Sequence, residues 1–188
     1  MPLKLAAAAV VLSGGAGGFE QFVAAEVRRY LYLLTGRWRE IVSEVPPDRP
    51  AIVRRTGKGS PVPGDGVAPE QNFALAATGE GGRVQEVRGA SPLATLWGAY
   101  TLIEHWGVGF YLGGDALPPV DPRREAAAVE RAYRPAFAVR GNLPWFNFLN
   151  SPTTWNPQDY ATFFGQMAKQ KANFIGFHAF SNYCAPVL

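Results

Sequence analysis

Short apolar segments alternate with two amphipathic helices in the first 120 residues, and this alternation limits what the chain can fold into. The first predicted helix is FEQFVAAEVRRYLYLLTG, residues 19–36, where Gly36 is a typical C-terminal stop. Its apolar residues recur at the spacing of one helical face: Phe19, Phe22, Val23, Val27, Tyr30, Leu31 and Leu34. Such a face must pack against a sheet or a second helix.

The N-terminal segment MPLKLAAAAVVLSGGAGGFE allows two interpretations. Lys4, the apolar run and the small residues resemble a weak signal peptide, which would make the protein secreted or periplasmic. The alternative is a buried strand, AAAAVVL, followed by a glycine-rich turn into the helix. We favour the strand because the helix would otherwise lose its sheet partner. The localisation stays open.

The second predicted helix lies in GASPLATLWGAYTLIEHWG, residues 89–107, with Ser91 as N-cap and Pro92 as the first helical residue. Gly107 ends it. Its predicted buried stripe is Leu93, Leu96, Trp97, Tyr100 and Ile103.

Short strands surround the two helices. The predicted strands are REIVSEV, AIVRR, NFALAAT, RVQEVRG and VGFYL, and the glycine-rich GEGG joins NFALAAT and RVQEVRG as a hairpin. The fold class is therefore α/β, with two helices packed on a small sheet.

The composition changes near residue 120. Residues 1–120 form the predicted α/β domain, and the charged segment DPRREAAAVERAYRP, within residues 121–136, reads as a linker with at most a short helix or strand. Residues 137–188 begin a second region, in which the strand FAVRGN, a helix opening at NPQDY and the strand NFIGFH follow one another. Asn156 is the predicted N-cap of that helix. Strand, helix, strand predicts a right-handed unit with parallel strands.

Candidate binding residues cluster in this second region. The predicted strands end at Arg140 and His178, and an aromatic, asparagine-rich loop with Trp145 and Asn147 lies between them. In βα architectures the chemistry sits at the C-terminal strand ends. Aromatic faces with a few polar groups suit a polyhydroxylated ligand. Each residue also has an ordinary structural interpretation: an imidazole bonded to a backbone carbonyl, an arginine in a surface ion pair, or aromatic rings in a core.

Several other functions lack the residues that they require. The net charge is +3 and the basic residues form scattered pairs, whereas nucleic-acid binding favours a clustered basic face. One cysteine and two distant histidines provide no metal cluster. SGGAGG lacks the G-K-[ST] of a phosphate loop, so no cofactor is predicted. No apolar run is long enough for a membrane helix, and no catalytic residue can be assigned.

Several segments of the sequence resemble segments of two known protein families. AAEVRRYLYLLTG in residues 19–36 and VRGASPLATLWGAYTLIEHWGVGFYL resemble the small N-terminal domain of α-glucuronidases and β-hexosaminidases. VRGN and DYATFFGQMAKQKANFIGFH resemble the opening of their catalytic (β/α)8 barrel. The resemblance implies a zincin-like N-terminal domain without metal, and sugar contacts from Arg140 and His178.

The chain also departs from these families. HAFSNYCAP lacks the aspartate that follows the hexosaminidase histidine, so the resemblance favours an α-glucuronidase-like or uncharacterised relative over a true hexosaminidase. A full barrel takes about 250 residues, and glycoside hydrolysis usually needs a pair of carboxyl groups. We therefore expect this chain to be a fragment of a glycoside hydrolase and to be inactive by itself. The full-length relative is expected to degrade polysaccharide. The alternative is a non-catalytic carbohydrate-binding or protein-interaction module.

Overall fold

The computed structural model describes residues 2–56, 62–143 and 154–176. The chain divides into two compact units: unit 1 is Met1–Gly109 with Ala116–Ala138, and unit 2 is Phe110–Asp115 with Val139–Leu188. The described helices and strands confirm a mixed α/β fold with a multistranded sheet and three helices. The zincin-like classification and the barrel remain predictions.

Unit 1 is built around a six-stranded sheet. Its strands are β2 (Ala9–Val11), β3 (Ile41–Val42), β4 (Ala51–Thr56), β5 (Phe73–Thr78), β6 (Val84–Gly89) and β10 (Arg131–Tyr133). The order across the sheet is β10-β5-β6-β4-β2-β3. Strands β3, β2, β4 and β6 run parallel, whereas β5 pairs antiparallel with both β6 and β10. The predicted hairpin of β5 and β6 is confirmed, and the AAAAVVL segment contributes an inner strand.

Two helices cover this sheet, α1 (Gly18–Thr35) and α2 (Pro92–His105). Gly36 ends α1 in the left-handed conformation, at φ 68°, as its residue type predicts. The Ser91 side chain accepts a hydrogen bond from Ala94 N at 3.2 Å, which confirms the predicted N-cap. A Cβ at Gly89 would lie 2.3 Å from Thr95 N, so this glycine lets α2 approach the sheet closely.

The predicted buried faces are partly wrong at the N-terminal turns of both helices. Phe19 and Phe22 are 42% and 48% exposed, and their rings lie 6.4 Å apart. Leu93 is also exposed, whereas the rest of the predicted stripe of α2 is buried. In these first turns the apolar side chains point away from the sheet, and in α1 they contact each other.

The segment expected as a linker contributes two short strands to unit 1. Strand β9 (Glu125–Ala126) pairs with β1 (Leu3–Lys4), and β10 extends the central sheet. The Tyr133 ring stacks on Phe73 at 4.7 Å, and its hydroxyl lies 2.9 Å from His105 Nε2. Aromatic packing therefore fixes this segment against the sheet.

Unit 2 contains one helix, α3 (Pro157–Lys169), in its described part. Strands β11 (Gly141–Asn142) and β12 (Phe174–Ile175) flank this helix in sequence and pair parallel, which confirms the predicted strand–helix–strand unit. Strands β7 (Gly109–Tyr111) and β8 (Gly114–Ala116) form a hairpin, and its residues 110–115 belong to unit 2.

Candidate functional site

The start of α3 has the cap that its sequence predicts. The Asn156 side chain accepts hydrogen bonds from Gln158 N at 2.8 Å and Asp159 N at 3.1 Å. The Asp159 carboxylate accepts one in return from Asn156 N at 2.9 Å. This reciprocal box satisfies donors that a helix start otherwise leaves unpaired, so the helix begins at a fixed residue and sets the position of β12.

A glycine makes the parallel strand pair possible. Gly141 lies opposite Phe174, and a Cβ added at Gly141 would be 1.9 Å from the Phe174 carbonyl oxygen. A side chain at this position would collide with the backbone of the partner strand. The glycine of the VRGN phrase therefore has a structural reason to be present, independent of any ligand.

Arg140 lies immediately before β11, rather than at the C-terminal end of the strand as the sequence predicts. The described strand covers only Gly141–Asn142, so Arg140 precedes it. The Arg140 Nε donates to the Lys171 carbonyl at 3.0 Å, and Arg140 N donates to Asn173 Oδ1 at 2.8 Å. Burial lowers the pKa of the guanidinium below its usual range. In this structure Arg140 joins β11 to the segment that follows α3.

The other candidate binding residues, Trp145, Asn147 and His178, lie outside the described residues. The structure therefore brings Arg140 together with Lys171 and Asn173, which the sequence did not single out. The convergence of all four candidates on one rim stays a prediction.

Unit 2 also contains a polar cluster that sequence reasoning missed. The Asp115 carboxylate accepts hydrogen bonds from Lys169 Nζ at 2.8 and 3.0 Å and from Gln166 Nε2 at 2.9 Å. The Lys169 and Asp115 side chains are only 11% and 12% exposed, and the Lys169 ammonium lies 5.6 Å from the centre of the Phe110 ring.

The cluster of Asp115, Gln166 and Lys169 has a structural role. Two side chains of α3 hold the Asp115 carboxylate through three hydrogen bonds, so the cluster joins β8 to α3. Gln166 and Lys169 are three residues apart on one helical face. That spacing was the available signal, but nothing in the sequence pointed to an aspartate about fifty residues earlier.

A polar cavity of about 500 Å³ lies in unit 1 where the parallel strands β2 and β4 end. It is lined by the glycine-rich turn Ser13–Ala16 and by Glu20, Arg54 and Thr56, among others. Such strand ends are a common ligand position in α/β sheets. Here Glu20 already occupies the start of α1, since its carboxylate accepts from Gly17 N and from Arg54 Nη1, each at 2.9 Å.

Those two contacts, first the Gly17 backbone bond and then Arg54, lower the pKa of Glu20. The fixed carboxylate disfavours a phosphate at this helix start, in agreement with the absence of G-K-[ST] from the sequence. Among the described residues no group of histidine, cysteine, aspartate and glutamate side chains could hold a metal ion. No helix in the described ranges has the length and apolar character to cross a membrane.

Comparison with known proteins gives structural neighbours only. No family profile matches the sequence, and no curated protein matches it. One similar solved structure is a family GH115 4-O-methyl-α-glucuronidase with specificity for decorated arabinogalactans, with a TM-score of 0.62 and 16% sequence identity. Another is a GH138 enzyme that targets pectin rhamnogalacturonan II, with a TM-score of 0.57 and 13% identity.

Each likeness covers 90% of this chain but only 24% of the glucuronidase and 18% of the GH138 enzyme. The chain thus resembles part of a glycoside hydrolase, as its sequence phrases predicted, and spans a quarter or less of these enzymes. At this identity the likeness establishes the fold.

Proposed function

We propose that this chain is the N-terminal part of an α-glucuronidase-like glycoside hydrolase that degrades a carbohydrate polymer. The observation that carries the proposal is the extent of the likeness. A single alignment covers 90% of the chain, and so includes residues of both units, in each of two glycoside hydrolases. Unit 1 then corresponds to the non-catalytic α/β domain, and β11, α3 and β12 open a (β/α)8 barrel.

Exposed apolar residues beside the parallel strand pair support this assignment. Val139 is 67% exposed, Leu143 54% and Phe174 50%. Parallel strands normally have both faces covered by other elements. In a barrel, further strands and helices would cover these side chains.

The 188 residues alone are expected not to hydrolyse glycosidic bonds. Hydrolysis usually requires two carboxyl groups placed on either side of the scissile bond. Of the acidic residues in this region, Asp159 caps α3 and Asp115 is bound by Lys169. We assign the catalytic pair to barrel strands that follow these residues in the full enzyme, with Arg140, Trp145, Asn147 and His178 as substrate contacts.

The test compares this chain with a protein extended along the downstream reading frame. Both are incubated with glucuronoxylan oligosaccharides, glucuronate-decorated arabinogalactan and rhamnogalacturonan II, and released sugars are quantified by chromatography. The expected result is release by the extended protein and none by the 188-residue chain. Turnover by the short chain, or an extended protein with no activity on any of these substrates, would contradict the proposal.

A second candidate is a carbohydrate-binding or protein-interaction module without catalysis. The same exposed residues, Val139, Leu143 and Phe174, favour it, because an exposed apolar patch also suits a partner protein. The two candidates differ in solution behaviour. A module is expected to be monomeric and soluble as the 188-residue chain, whereas a barrel fragment is expected to aggregate until the downstream strands are added.

A further inference from the structure

A basic cavity lies in unit 1, and none of the four residues proposed as substrate contacts is among its described lining residues. Its volume is about 690 Å³. Three separate chain segments line it: residues 4–7, residues 37–39 after α1, and residues 122–125, which lead into β9. The lining residues are Lys4, Ala6, Ala7, Arg37, Arg39, Pro122, Arg123, Arg124 and Glu125.

Main-chain hydrogen bonds hold these three segments together. Leu5 N donates to the Arg124 carbonyl at 3.0 Å, and Asp121 N donates to the Leu34 carbonyl at 2.9 Å. Lys4 lies directly opposite Glu125 in the antiparallel pair of β1 and β9. The convergence of positive charge is therefore built into the backbone and does not depend on flexible side chains alone.

The cavity carries more positive than negative charge. Glu125 faces Lys4 across the strands, where opposite charges attract. Asp121 lies 3.7 Å from Arg123 Nε, but the Arg123 side chain is 93% exposed, so this ion pair is weak.

The other three arginines that line the cavity are Arg37, Arg39 and Arg124. Within the described ranges, no ion pair joins Arg37, Arg39 or Arg124 to an acidic side chain. Like charges gathered without partners repel one another, and an anion placed between them removes that cost.

Two of the arginines that line the cavity also have unsatisfied donors. Arg124 Nη2 donates to the Pro119 carbonyl at 2.8 Å, whereas the Nε atoms of Arg124 and Arg39 are buried without an acceptor among the described residues. Orphaned arginine Nε atoms also occur elsewhere in the chain, at Arg28 and Arg54 for example. The feature that distinguishes this cavity is therefore the convergence of five cations and not the unsatisfied donors.

The C-terminal end of α1 accounts for only part of this charge. A helix C-terminus attracts cations, and Arg37 and Arg39 follow α1 within a few residues. Lys4, Arg123 and Arg124 come from other segments and have no such reason to converge there.

We propose that the basic cavity binds the carboxylate groups of an acidic saccharide, such as the uronate residues of a plant polysaccharide. The arginine fork matches a planar carboxylate, and the apolar surfaces of Ala6, Ala7 and Pro122 suit the C–H face of a sugar ring. The choice of an acidic saccharide rests on the proposed function. The site would hold polymer on unit 1, separately from bond cleavage.

The experiment measures binding of hexagalacturonate to the full 188-residue chain by calorimetry. The cavity variant Arg37→Gln/Arg123→Gln changes two exposed side chains of the cavity lining. The matched control, Arg29→Gln/Arg131→Gln, removes the same charge from exposed positions outside the cavity. We expect the cavity pair to weaken binding about tenfold and the control pair less than about twofold. Circular dichroism confirms that both variants fold.

Three further ligands distinguish the sources of negative charge: a neutral galactohexaose, dextran sulfate and a six-nucleotide single-stranded DNA. Hexagalacturonate binding that the cavity pair selectively weakens, with the neutral sugar unbound, supports the proposal. It is overturned if hexagalacturonate does not bind, if both variant pairs weaken it equally, or if DNA or dextran sulfate binds more tightly. An extended protein that hydrolyses polysaccharide while this chain binds no uronate would refute the cavity and leave the proposed function standing.

Discussion

Unit 1 and the described part of unit 2 differ in how well they cover their apolar side chains. In unit 1 the central sheet lies against two helices, and Tyr30, Leu31 and Leu34 on α1 are completely buried. In unit 2 each strand of the parallel pair has only two residues, and neighbouring apolar side chains are half exposed or more. Among the described residues, unit 1 therefore buries its apolar side chains more completely than unit 2 does.

The largest expected effect comes from truncating the core of unit 1. Leu31→Ala removes a fully buried side chain, and we expect it to lower the free energy of unfolding by about 3 kcal/mol in urea denaturation. Phe22→Ala, at a position that is 48% exposed, is the control and should cost less than about 1 kcal/mol.

Met167→Ala tests whether the two units unfold separately, because Met167 is a buried residue of α3. Hydrogen exchange should then accelerate in residues 157–176 without changing in β4 and β6. Equal acceleration in both units would show that they unfold together and would break the distinction between them.

A smaller effect is expected when the buried ion pair of unit 2 loses one partner. Lys169→Met removes two hydrogen bonds and the ammonium charge from the Asp115 carboxylate, and we expect a loss of about 2 kcal/mol, because a buried carboxylate is costly once its cationic partner is removed. Asp115→Asn/Lys169→Met should recover part of this loss. If the double variant is no more stable than Lys169→Met, the pair is not what holds the hairpin to α3.

The smallest predicted effect is the acid sensitivity of unit 1. Burial raises the pKa of Glu86, but the hydrogen bond and charge of Arg88, with Arg55 and Thr78, outweigh it and leave this pKa below its usual 4.5. The resulting stabilisation is present above pH 4.5 and is lost as the pH falls through the lowered pKa.

Thermal melts between pH 6 and pH 3 test this sign. Glu86→Gln should lower the melting temperature at pH 6 and make it fall less steeply toward acid. The loss of unfolding free energy at pH 6 should be on the order of 1 kcal/mol. Glu80→Gln, at an exposed position, is the control. A Glu86→Gln curve parallel to that of the original chain would remove Glu86 from the account of acid sensitivity.

Local chemistry made much of the fold predictable. Ser91, Asn156 and Gly36 occupy the helix ends that their side chains favour, and the glycine-rich link between β5 and β6 forms the predicted hairpin. These features depend on residues within a few positions of one another. Whether Phe19 is buried depends on how far the sheet extends beneath α1, and the helical spacing of apolar residues does not give that extent.

The site was less predictable because its contacts join distant residues. Asp115 and Lys169 meet across more than fifty positions, and Lys4 lines the same cavity as Arg123 and Arg124, which follow it much later in the chain. The basic residues are scattered in sequence, and both the pairing of β1 with β9 and the hydrogen bond from Asp121 N to the Leu34 carbonyl bring their segments together. Of the four predicted substrate contacts the structure describes Arg140, which lies before its strand instead of at the end of it.

The edges of the central sheet have a consequence for self-association. Its outer strands, β3 and β10, contain two and three residues, and β10 begins with a charged arginine. An exposed edge can recruit a strand from another molecule, and such short, charged edges offer little template for it. If this chain forms assemblies at high concentration, they should therefore involve the apolar residues beside β11 and β12, and Val139→Lys should suppress them.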